Sequence, residues 1–168
     1  MPLAKVSLTE TDIQLLTNKK KLNSGIRIKI SLISVIILLV VYFYVGFDIS
    51  NYTFIVFGIM ILFIHGFLFI SSVKDVSFYN DLNEKQKYSG IIKVTKKEHW
   101  IDDESNWERY NIDFNEWRIG SKSFHVEYWN KINEGDEFYI EQAINSGFVF
   151  RLEKETQDFK NGILKELK

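Results

Sequence analysis

The chain has no cysteine, one proline and only three histidines in 168 residues. Without cysteine there is no disulfide, no thiolate metal ligand and no thiol nucleophile. The histidines, His65, His99 and His125, are too far apart for a paired zinc motif such as H-x-x-x-H. A Gly-x-Ser-x-Gly elbow, a phosphate loop and a dinucleotide fingerprint are also missing. His99 can be drawn together with Asp102, Asp103 and Glu104, but acids are ordinary in a solvated turn. Asp113 and Glu116 read as surface charge in the same way. The expectation is no metal, no cofactor and no catalytic set: not an enzyme.

Charge of one sign is scarce at each end in turn. Before Ile30 there are six Lys/Arg against Glu10 and Asp12, whereas from Lys74 onward fifteen basic residues face nineteen acidic ones. The net charge of −1 thus hides a basic N-terminal arm and an acidic C-terminal region. An acidic domain is a poor partner for a phosphate backbone, so nucleic acid is not expected. The chain is rich in Ile, Lys, Asn, Phe and Tyr, whose codons are AT-rich, which suggests a bacterial source.

Long uncharged runs are confined to the stretch from Ile30 to Val73. Residues 30–47 and 49–73 are each long enough, at about 1.5 Å per residue, to span a bilayer. They predict a two-helix transmembrane hairpin, with a tight loop from Asp48 to about Tyr52. The first run begins too deep in the chain, and lacks the small-x-small site, for a cleaved signal. Lys19, Lys20, Lys21, Arg27 and Lys29 precede the first run and Lys74 follows the second. The positive-inside rule then puts both termini in the cytoplasm of an inner or plasma membrane, with Tyr42, Tyr44 and Tyr52 at the opposite interface. Within the second run His65 is the polar candidate; its plainest role is a hydrogen bond to a hydroxyl such as Ser34. Gly58 and Gly66 allow close helix contact without forming a Gly-x-x-x-Gly pair.

The flanking regions complete the division. Residues 1–29 read as a basic arm with a short helix, introduced by the capping-box spacing of Ser7 to Glu10. Its Lys19, Lys20 and Lys21 are candidates for lipid headgroup contact. Residues 74–87 read as a linker with a short helix from Val76 to Leu82. Residues 88–153 alternate apolar and polar in five segments: Tyr88 to Lys97, Trp107 to Phe114, Phe124 to Tyr128, Glu137 to Glu141 and Phe148 to Leu152. Turn residues fall between them, which predicts a small antiparallel β-barrel. Residues 154–168 carry Phe159, Ile163, Leu164 and Leu167 at helical spacing and predict an amphipathic helix.

Between the third and fourth segments, Trp129-Asn-Lys-Ile-Asn-Glu-Gly-Asp136 reads as one helical turn leading into a strand. This arrangement resembles the small SH3-like and OB-like barrels, and the resemblance implies a binding module rather than a chemistry. All four tryptophans lie in this region. Trp117 and Tyr139 fall on the parity opposite the core sets, which makes them the candidates for a ligand or partner surface.

The functional expectation is a two-pass membrane protein presenting a non-catalytic cytosolic binding or regulatory module. Its partners would be the lipid bilayer and a protein, or a second copy through the helices. One alternative is a membrane-acting defence effector or a toxin-immunity protein, since two helices followed by a barrel resemble in order the bacterial anti-phage effectors with a nucleotide-sensing barrel. A second is an accessory subunit of a larger membrane complex.

Overall fold

A computed structural model describes residues 2–45, 52–101 and 108–164, the side chains at 38, 41–45, 53, 54 and 69–75 excepted. The chain divides into two compact units: Glu10–Asn83, and Met1–Thr9 together with Glu84–Lys168.

The first unit is two long helices, α1 (Glu10–Val45) and α2 (Tyr52–Glu84). Thr9 precedes α1, and Glu10 and Asp12 place negative charge in its first turn, where the helix dipole favours it. Two contacts fix how the helices run. Ser34 Oγ lies 3.3 Å from His65 Nε2, and Lys20 Nζ stands 5.0 Å from the centre of the Tyr79 ring. From Lys20 to Ser34 and from His65 to Tyr79 the spacing is the same, in opposite chain directions, so the helices are antiparallel.

The expected transmembrane hairpin is overturned: among the described residues no helix is long and apolar enough to cross a membrane. Each apolar run shares its helix with a charged stretch, which precedes it in α1 and follows it in α2. α1 is one continuous helix through Lys19, Lys20, Lys21, Arg27 and Lys29, and α2 continues through Asp81 to Glu84. The integral-membrane placement with cytoplasmic termini, and the two-pass function built on it, fall with the hairpin. So do the effector and membrane-complex alternatives. The Asp48 loop lies outside the described residues, as do the side chains of Tyr42 and Tyr44. The separate short helices expected at 1–29 and at 76–82 are instead parts of α1 and α2, and Ser7 sits in a strand rather than capping a helix.

The second unit is an antiparallel sheet. Its strands are β1 (Ala4–Ser7), β2 (Gln86–Ile101), β3 (Glu108–Phe114), β4 (Lys122–Ser123), β5 (Glu137–Ala143), β6 (Val149–Lys154) and β7 (Gln157–Asp158). The order is β4-β3-β2-β5-β6-β7, with β1 also on β2. β2 serves two partners because it is long. Lys87 to Lys93 pair with β5, and Val94 to Ile101 pair with β3 across a register shift at Thr95. An extra residue of this kind bends a strand and lets one sheet curl. The curl brings the two ends together: Phe124, just after β4, bridges Ile163, which follows the 3-10 turn Lys160–Gly162 beyond β7. Leu164 N–H donates to Ser123 O at 2.7 Å and His125 N–H to Gly162 O at 2.8 Å across the same seam.

Alternation fills the interior. Ile92 and Val94, Ile112 and Phe114, Phe138 and Ile140, and Leu152 are buried in one cluster with Phe124, Ile132 and Phe159. Phe138 meets Phe159 edge-on at 5.2 Å and Phe114 at 6.3 Å, the geometry aromatic quadrupoles prefer. Two glycines are required by close approach. A Cβ on Gly90 would come within 2.7 Å of Leu3 Cα, and one on Gly162 within 2.2 Å of the Tyr128 ring.

Two sequence expectations fail in this unit. The third alternating segment is not a strand: Val126–Trp129 forms a single helical turn, α3, after the short β4. Phe124 is buried but Val126 is exposed, so the period-two spacing there marks no common face. The C-terminal amphipathic helix is replaced, as far as the described residues extend, by β7 and a 3-10 turn at Lys160–Gly162. A hairpin followed by a tight turn delivers Phe159 and Ile163 to the core as effectively as a helix would. Leu167 lies outside the described residues.

Candidate interaction surface

Trp117 sits in the turn between β3 and β4 and is 86 % exposed. The turn beneath it is held from several sides. Lys93 N–H donates to Asn115 Oδ1 at 2.8 Å, and Asn115 N–H returns a bond to Lys93 O at 2.9 Å. The Ile119 carbonyl accepts from Lys122 Nζ at 2.7 Å and from the buried Gln142 Nε2 at 3.4 Å, while the Ile119 side chain is buried in the core. Arg118 donates to Glu116 at 2.8 Å and lies 5.4 Å from the Tyr88 ring. The Glu116 hydrogen bond raises the Arg118 pKa above its ordinary value. A large aromatic is thereby presented to solvent on an ordered base.

Tyr139 is placed differently. It lies on the outer face of β5, and its hydroxyl is engaged by Ser89 Oγ at 2.8 Å and by Glu141 at 2.7 Å. Arg151 covers its ring at 5.2 Å while donating two 2.6 Å bonds to Glu153. Glu141 also pairs with the buried Lys87. Tyr139 therefore belongs to a satisfied polar network on the sheet, and no contact among the described residues joins it to Trp117. The structure does not bring the two candidates together.

A second aromatic surface was not foreseen. His99 on β2 and Tyr110 on β3 are direct cross-strand partners, and their rings stack at 4.5 Å with planes 3° apart. Trp129 of α3 tilts against both, 5.3 Å from Tyr110 and 6.2 Å from His99. Lys97 Nζ sits 3.8 Å over the Trp129 ring and donates to the Trp129 and Ile132 carbonyls. Burial lowers the Lys97 pKa against the pull of Asp136 and Glu134. Glu108 accepts from the Tyr110 hydroxyl and lies 3.1 Å from His99 Nε2. The Tyr110 bond, then the His99 bond, lowers the Glu108 pKa, and the same bond to Glu108 raises that of Tyr110. The chain's own lysine already occupies the Trp129 face, so this cluster rigidifies the β2–β3 arm more than it invites a ligand.

The remaining sequence candidates lie in the helical unit. His65 meets Ser34, the contact suggested by the sequence, and Ser34 Oγ also donates to Ser31 O at 2.8 Å. Lys20 covers Tyr79, Lys21 is exposed and Lys19 half-buried. Asp102, Asp103 and Glu104 lie outside the described residues. Among the described residues no group of three or more His, Asp or Glu is placed to hold a metal ion. A shallow polar depression of about 270 Å³ lies beside the β6–β7 turn, between Lys131, Lys154 and Phe159, but Lys154 is committed to Asp136 at 2.6 Å.

No family model matches the chain, and comparison with curated proteins and with solved structures gives no match. The resemblance to SH3-like and OB-like barrels thus gains no support from a relative, and the β unit is described by its own topology.

Proposed function

We propose that the β unit is a non-catalytic protein-interaction module that docks a partner on Trp117. The observation carrying this reading is an almost fully exposed tryptophan on a turn clamped by β2, β4 and β5. Tryptophan is among the residues most enriched at binding hot spots, and a pre-ordered anchor loses little conformational entropy on binding.

The test is selection of peptides from a random display library against the full chain, followed by affinity measurement on the Trp117→Ala variant. Selected peptides should bind the variant about tenfold or more weakly. Its thermal unfolding should stay within about 0.5 kcal/mol of the parent. Equal binding by the variant, or robust hydrolase or transferase turnover by the full chain, would sink the reading.

A further inference from the structure

The helical unit carries a surface that the Trp117 reading does not use. On α2, Ile59, Leu62, Phe63, Gly66 and Phe67 line an apolar groove of about 510 Å³. The first four stand at i, i+3, i+4 and i+7, the four-residue diamond that receives one side chain of a facing helix in knobs-into-holes packing. Gly66 is the corner of that hole without a side chain, and a Cβ there would meet nothing within 4 Å. Leu62 and Phe63 are 73 % and 76 % exposed, and Phe67 is also exposed.

We propose that this stripe of α2 pairs with the same stripe of a second copy of the chain. Hole and knob lie on one face: Phe63 or Phe67 of one copy is the right kind of side chain to enter the diamond of the other. That self-complementarity is what a two-fold interface requires. The chain from Tyr52 to Val73 has no charged residue, so the face offers no charge pattern by which a different partner would be recognised. The area also suffices. Seven large apolar side chains on α2 between Ile55 and Phe67 are at least two-fifths exposed. They amount to something on the order of 1,000 Å², against about 800 Å² per partner in a standard interface and about 300–600 Å² for the largest apolar patch of an ordinary monomer.

The full chain in a mild non-ionic detergent provides the test. Light scattering should show a dimer that dissociates on dilution. Leu62→Cys should form an intermolecular disulfide on oxidation, unambiguous because the chain has no other cysteine. Gly66→Leu fills the hole without an intrachain collision at its Cβ, and should weaken the dimer about tenfold or more while leaving the unfolding of the β unit unchanged. A monomer at every concentration overturns the proposal. So does a dimer that Gly66→Leu leaves intact and Leu62→Cys does not cross-link. A monomer that floats with phosphatidylcholine vesicles also overturns it, since lipid would then be what covers the face.

Discussion

The two units solve the same problem with different success. In the β unit a curled sheet encloses its own apolar side chains, and Phe124, Ile132, Phe138 and Phe159 are lost to water. In the helical unit Leu62, Phe63 and Phe67 stay exposed. The difference follows from geometry. A sheet that closes on itself has an inside, whereas two helices can bury only the stripe along which they touch. One unit encloses its apolar side chains; the other keeps Leu62, Phe63 and Phe67 on its surface.

The completeness of the β unit can be broken at its seam. Gly162→Leu drives a side chain into the Tyr128 ring at the point where the two ends of the sheet meet. Overpacking at a site that cannot relax costs about 3 kcal/mol, and calorimetry should show the β-unit transition fall accordingly. Glu141→Ala removes one carboxylate from Lys87, whose side chain is only 6 % exposed, and takes away the acceptor of the Tyr139 hydroxyl. Losing a charge-assisted hydrogen bond of this kind costs about 1.5–3 kcal/mol. The two variants should leave any helical-unit transition where it is.

A gentler probe uses pH. Burial pushes the Asp136 pKa up, but the Lys154 bond, the Asn133 N–H and the nearby lysines outweigh it, so the net shift is downward. A depressed carboxylate stabilises the folded state fully above its unfolded pKa of about 4, and that contribution is lost as pH falls through the lower folded value. Asp136→Asn should therefore be less stable than the parent at pH 6, and the gap should close in acid. A gap that widens on acidification would contradict the assignment. The smallest effect belongs to Gln142, 2 % exposed, with an Oε1 that finds no partner among the described residues. Gln142→Met removes that unsatisfied acceptor at similar volume and should change stability by no more than about 1 kcal/mol in either direction.

Much of the β unit was legible because alternation reports burial directly: β2, β3, β5 and β6 fall where the pattern put them. The segment at Phe124 to Tyr128 misled because one helical turn is too short to break a period of two. The His99–Tyr110 stack was missed for a related reason. Alternation within a strand carries no register, and it is the register that sets His99 opposite Tyr110. Parity picked out Trp117, but its exposure comes from the turn after β3, where strand alternation no longer runs. Tyr139 satisfied the same criterion yet is held by Ser89, Glu141 and Arg151, because parity separates faces and cannot distinguish a ligand surface from a polar network. The apolar runs of α1 and α2 were read as self-contained spans because composition windows ignore the charged turns with which they share a helix.

Hydrogen exchange on the full chain across a protein concentration series tests most directly whether one unit is complete alone and the other is not. Amides of β2, β5 and β6 should be strongly protected and indifferent to concentration, while amides of α2 around Gly66 should gain protection as concentration rises. Protection in α2 that does not change with concentration, or a sheet whose protection collapses on dilution, would contradict the account.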